Sequence, residues 1–226
     1  MDIPTVTTPA GQLVGADGIA RPAWAYRSEM EREYYDQEWG RPIITEHGLL
    51  ERLCLESFQS GLSWSTVLAK RRAFREVFFL FDATRIAAMD DAAKAAAMAD
   101  ERLIRNRVKQ ESVYSNADAT IALREDPGLQ ALAEDAPARA LLGRVADRLV
   151  PGLPVLLWSF APREHQRPRH VAEIAKTSAE SVAMAKELKR RGFRMVGPVT
   201  CYALMQATGM VDDRVVEEGS GEAERS

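Results

Sequence analysis

Along most of this chain apolar residues recur every three or four positions, with charged residues between them. EMEREYYDQEW (29–39), LLERLCLESFQ (49–59), STVLAKRRAFREVFFLF (65–81), AAKAAAMA (92–99), NRVKQESVYSNADATIAL (106–123) and ESVAMAKELKRR (180–191) carry this period in good helix formers. Each predicts a helix. Asp82, Asp90 and Ser63 stand where N-caps belong, since their side-chain oxygens can accept from first-turn N–H groups that have no partner inside the helix. Gly61 and Gly209 stand where helices should stop, the second closing GPVTCYALMQATG (197–209), a loop entering a buried helix. The Pro- and Ala-punctuated stretch 126–154 reads as short helices and turns. The fold class expected is therefore all-α, with one domain over residues 21–217 between a flexible N-terminal segment (1–20) and a flexible tail (218–226), both polar or Gly-rich and aperiodic.

Composition narrows the function classes. With 226 residues, 46% of them hydrophobic, the chain can build a substantial core. A formal charge of −3 gives no global positive field for nucleic acid or anionic membrane, so local clusters must carry any such contact. Cys54 and Cys201 lie far apart and outside any CxxC spacing, which predicts neither a disulfide framework nor a thiolate metal site and fits a reducing cytoplasm. No apolar run reaches the roughly 20 residues that span a bilayer, and the N-terminus lacks a signal-peptide pattern, so no membrane contact is expected.

Within CLESFQSGLSW (54–64) a single carboxylate, Glu56, interrupts an apolar and small-residue run. At about 100° per residue, Leu49, Leu50, Leu53, Ser57 and Ser60 share one face, with Glu56 at its margin, roughly 60° from Leu53. Spacing alone fits a half-exposed glutamate paired with Arg52 one turn earlier. The loop that follows, Gln59 to Trp64, has an apolar tip at Leu62. Three basic segments are then available to grip phosphates or simply to face water: Lys70 to Arg75, Arg102 to Lys109, and Lys186 to Arg191.

Taken in order, EYYDQEWGRP, LCLESFQSGLSWSTVLAKRRAFREVFFLFD, LIRNRVK and KTSAESVAMAKELKRRGFRMVGPVTCYALMQATGMVDD resemble the constitutive 3-methyladenine DNA glycosylase family, DNA-3-methyladenine glycosylase I, over residues 21–217. The resemblance implies an all-α fold of the helix-hairpin-helix glycosylase superfamily and hydrolysis of the N-glycosidic bond of 3-methyladenine in alkylated double-stranded DNA. It places the family's pocket glutamate on Glu56 and its pocket aromatics on Trp24, Tyr34 and Trp64, with Trp39 close in sequence. The hairpin falls on Asp100 to Arg107, which gives Arg105, Arg107 and Lys109 to DNA phosphates, and Leu62 becomes the candidate wedge beside the flipped base. Without the resemblance the tryptophans would be read as core. No cofactor and no obligate protein partner is inferred.

The chain departs from the family at several places. The positions that many members use for a zinc held by two Cys and two His are Pro22, Tyr35, Arg214 and Glu218, so no zinc is expected. A further pocket aromatic is replaced by Glu31, the hairpin has Arg102 in place of a glycine, and 126–154 exceeds the usual length. Those changes keep two alternatives open, a binding protein for alkylated DNA without catalysis and a glycosylase for another alkylated base. A carboxylate-dependent hydrolase of free nucleosides would leave the basic segments without purpose.

Overall fold

The computed structural model describes residues 6–134 and 148–216. Helix α1 (Glu29–Gln37) begins at Ser28, whose hydroxyl accepts from the Glu31 N–H at 3.1 Å and donates to Glu31 Oε2. α2 (Glu46–Gln59) and α3 (Trp64–Val77) follow, and Ser63 caps α3 by accepting from the Thr66 N–H. Asp82 caps α4 (Ala83–Ala87) and Asp90 caps α5 (Asp91–Ala99), as their spacing predicts. The chain continues through α6 (Arg107–Arg124), α7 (Pro127–Glu134), α8 (Leu153–Trp158), α9 (Ala179–Arg190) and α10 (Pro198–Ala207). α5 and α6 are joined by the loop 100–106, where the hairpin is expected.

α2 is the axis of the molecule. Every residue from Leu49 to Phe58 is buried, because α3, α6, α8 and α10 surround it on all sides. The expectation of one apolar face with Glu56 half-exposed at its edge is therefore corrected: Glu56 is only 7% exposed. Aromatic packing continues the core, with Phe58 and Phe74 ring centroids 4.4 Å apart and Phe78 and Phe81 wholly enclosed. Phe79, Leu80 and Phe81 take left-handed backbone angles, each costing about 1–2 kcal/mol for a residue with a Cβ. Burial of the Phe81 ring, on the order of 2 kcal/mol, offsets part of that cost.

The N-terminal segment differs from its expectation. Residues 6–21 hold three two-residue strands, β1 (Val6–Thr7), β2 (Leu13–Val14) and β3 (Ala20–Arg21), paired antiparallel in the order β1-β2-β3. Its polar composition concealed a local anchor: Arg21 is 2% exposed and is gripped by Asp17 and Asp36 on either side. Val171 N–H also donates to Ala10 O at 2.9 Å, so the sheet is tied to the segment before α9. The tail 218–226, which includes Glu218, and residues 135–147 of the long 126–154 stretch lie outside the described residues.

At the other end, α10 stops at Gly209, which has φ +74°. A Cβ there would lie 2.7 Å from Gly40 O and 3.0 Å from Pro42 N. Glycine is required on both counts, since the left-handed turn and the close approach of two backbones each exclude a side chain. The contact seats Trp39 and Gly40 against the C-terminus of α10.

Candidate active site

Trp24 lies in a short 3-10 turn, Ala23–Tyr26, Tyr34 on α1, Trp39 just after it, Glu56 on α2, and Trp64 at the start of α3. All five line one cavity of about 550 Å³. The rings form a continuous wall: Trp64 to Tyr34 at 5.2 Å between centroids, Tyr34 to Trp24 at 6.3 Å, and Trp24 to Trp39 at 6.0 Å. Tilted and edge contacts at these spacings are favourable for aromatic pairs. The outer wall comes from Gln12 of the N-terminal sheet region, Lys176, and Gln206, Tyr202 and Asp213 around α10.

Glu56 is the carboxylate among the rings. Burial raises its pKa to about 7, against a smaller downward pull from Arg52, and no described residue forms a hydrogen bond with it. The i−4 pairing with Arg52 is corrected here, because the Arg52 Nη2 group donates to Glu38 instead. Two further polar atoms on the wall are buried without partners, Tyr34 Oη and Trp64 Nε1. A buried polar atom left unpaired costs about 1–3 kcal/mol, so these two residues are held in the wall at a cost in stability.

The remaining candidates divide. Leu62, 40% exposed, tips the loop between α2 and α3. Arg105 and Arg107 are exposed on the hairpin and at the first turn of α6. Lys109 is corrected: it is 7% exposed, and its ammonium donates to Phe58 O at 2.8 Å and Ser60 O at 2.6 Å. It closes carbonyls at the C-terminus of α2, where a cation meets the negative end of the helix, and two of its three N–H donors are committed within the protein. Its positive charge near the hairpin was the only signal in the sequence, and burial is invisible there.

Arg102 is held by Asp100 and Glu76. Glu31 is wholly buried, bound to the Ser28 hydroxyl, and stands outside the cavity wall. The substitution thus turns that position from the pocket to the helix cap. Tyr35 and Arg214, two positions that the resemblance would give to zinc, touch each other: the guanidinium lies 4.7 Å over the Tyr35 ring and donates to Tyr35 O and Trp39 O. With Pro22 as a third member this set offers no thiolate or imidazole and does not fit a tetrahedral zinc. Sequence reading missed Asp213, which accepts from Tyr202 Oη and Gln206 Nε2 and pairs with His165, fastening the last described residues to α10.

Comparison with known proteins gives a consistent picture. Residues 24–136 and 131–218 match the family model for methyladenine glycosylase, so the sheet at 6–21 lies outside the matched region. The DNA-3-methyladenine glycosylase of Haemophilus influenzae is 35% identical over 198 residues, covering 86% of this chain and 94% of its own. DNA-3-methyladenine glycosylase 1 of Escherichia coli is 33% identical over 202 residues, covering 88% and 95%. A crystal structure of a 3-methyladenine DNA glycosylase I superposes with a TM-score of 0.70 at 33% identity, over 84% of this chain and 93% of the other. A structure from Staphylococcus aureus, solved for 3-methyladenine recognition by its glycosylase I, shares the fold with a TM-score of 0.71 at 24% identity, over 85% and 92%.

Proposed function

This chain belongs to the methyladenine glycosylase family, and on that premise we propose that it excises 3-methyladenine from alkylated double-stranded DNA by hydrolysis. The observation that carries the reading is Glu56, an unpaired buried carboxylate inside a wall of Trp24, Tyr34, Trp39 and Trp64. Methylation at N3 leaves the adenine cationic and already activated as a leaving group. Aromatic faces attract such a cation, and a carboxylate in a dry site stabilises it more than water would. In the reaction the bond between C1′ and the base nitrogen breaks with its electron pair going to the base, which departs neutral. Positive charge then resides on the sugar as an oxocarbenium, opposite Glu56, and water adds at C1′ with loss of a proton. A carboxylate whose basicity burial has raised toward neutrality suits proton acceptance from that water as well.

The base reaches the cavity only if it leaves the duplex. Leu62 fills the vacated stack as an apolar wedge, while Arg105 and Arg107 hold phosphates. Burial pushes the Cys54 and Cys201 thiols up to about 12, so neither supplies a nucleophile, and both fit a cytoplasmic setting. Among the described residues no helix is long and apolar enough to cross a membrane.

Single-turnover incubation with methylated duplex DNA, followed by chromatography of the released bases, tests the reading. Release of 3-methyladenine is expected. Binding without release would favour the binding-protein alternative, and a different released base would revise the substrate. The hairpin assignment has its own check: Arg105→Ala and Arg107→Ala each reduce the slope of log Kd against log salt by about 1. Lys109→Met leaves that slope unchanged and instead lowers the melting temperature, since it uncovers two carbonyls at an expected cost of about 1–3 kcal/mol.

A further inference from the structure

Arg52 is a charged residue where none is needed for packing. It is 2% exposed and lies one helical turn before Glu56 on α2. Its guanidinium carbon stands 4.9 Å from the centroid of the Tyr34 ring, the ring that also lines the cavity. Nη2 is bound to Glu38, and Nη1 is buried with no partner. A purely structural arginine in such a place would use its donors fully, because an unpaired buried N–H is costly. An apolar side chain of similar length would fill the space at lower cost.

We propose that Arg52 is a positioning residue for base excision: it braces Tyr34 from behind and supplies the fixed positive charge that keeps the Glu56 carboxylate ionised inside an aromatic cavity. The inference rests on the glycosylase reading above and adds to it the device that makes a buried anion tenable. The charges around Glu56 support it. α1 contributes Tyr34, its C-cap contributes Glu38, and α2 itself contributes Arg52 and Glu51. α3 contributes Arg71, whose guanidinium is bound to Glu38 and Glu51, while Arg27, Lys176 and Asp213 stand on the same cavity wall as Glu56. Arg71 is matched by two carboxylates. Arg52 shares its single partner, Glu38, with Arg71, so its charge is the less neutralised of the two. Of these groups Arg52 is the one that opposes burial at Glu56.

The same charge serves selection. A cation behind Tyr34 draws on the electron density of that ring, and Glu56 restores the attraction for a positive base on the cavity side. Neutral adenine gains nothing from this arrangement, whereas a methylated, cationic base is favoured by the carboxylate that Arg52 maintains.

Two readouts test the proposal on the full chain. In the free protein, carbon-13 NMR of labelled glutamates, with Glu56 assigned by its loss in Glu56→Gln, follows the carboxyl titration without any DNA chemistry. Arg52→Met is expected to move the Glu56 midpoint upward by about one pH unit, and Arg52→Lys to leave it near wild type. In single-turnover release, Arg52→Met should be about fivefold slower at pH 7 and approach wild type at pH 9. A titration that does not move, or a loss of equal size at every pH, would overturn the assignment and leave Arg52 a packing residue. Should Arg52→Met fail to fold, Arg52→Gln takes its place, with the same outcomes decisive. If wild type itself releases no base, the glycosylase reading fails, and the titration still decides the link between Arg52 and Glu56.

Discussion

Glu56→Gln lowers single-turnover release of 3-methyladenine by about 100-fold or more, the loss typical of removing one preorganised charge from a dry site, while the folded protein becomes more stable. Both results come from the same carboxylate. Burial lifts its pKa from 4.5 in the ordinary state to about 7 in the fold. The folded state therefore holds a proton that the unfolded chain has already released, and ionised Glu56 costs stability. That cost is fully present above pH 7, shrinks as the pH falls, and is gone below the unfolded value of 4.5. Glutamine carries no such cost. Its gain should be on the order of 2–3 kcal/mol at pH 8 and close to zero at pH 4.5. Thermal melts of both proteins across that range check the sign, with the variant melting about 5–10 °C higher at pH 8. Wild-type release, requiring the anion, should rise through pH 7 and level off above it. A variant that melts lower than wild type at pH 8 would show that Glu56 is held by contacts other than those described.

Glu38→Ala is expected to lower stability. Glu38 accepts from Arg52 and from Arg71 Nη1, the latter at 2.9 Å to both of its oxygens. Burial pushes its pKa up, yet the two guanidiniums outweigh this and hold the carboxyl below its ordinary value. Removing it leaves Arg71 with Glu51 but leaves Arg52 buried with no partner. Because the Glu38 side chain is 41% exposed, water screens part of the pair and can reach the surviving charge, so the loss falls below that of a fully buried pair, on the order of 2 kcal/mol. In a chain of this size the melting temperature should fall by about 4–8 °C. The double variant Glu38→Ala with Arg52→Met removes the stranded charge and should recover most of the loss, a strongly non-additive pair in chemical denaturation. Simple additivity of the two single variants would refute the pairing. The recovered protein would still bear the alkaline shift in its activity profile, since stability and ionisation depend on different partners of one arginine.

The helices were readable because the code for them is local. Ser63, Asp82 and Asp90 announce helix starts in the sequence and cap them in the fold. Glu56 was conspicuous by being a charge in an apolar run, but its burial depends on α3, α6, α8 and α10 meeting around α2. No window of sequence contains that information. The same limit explains Lys109: at a hairpin it reads as a phosphate contact, and only the arrival of Phe58 and Ser60 carbonyls, 51 and 49 positions away, shows otherwise. The strands near the N-terminus failed to register for a different reason. Each spans two residues, too short for an alternating pattern, and their anchor is the pairing of Arg21 with Asp36.

Lys109 also sets a length. It sits in the first turn of α6, and its ammonium is bound to the Phe58 and Ser60 carbonyls, close before Leu62 in the chain. The two surfaces assigned to DNA are thus parts of one rigid gauge, spanning from the phosphate grip to the wedge. On the proposed reading, a strand held by Arg105 and Arg107 would meet Leu62 at a fixed spacing, because Lys109 ties the two segments together.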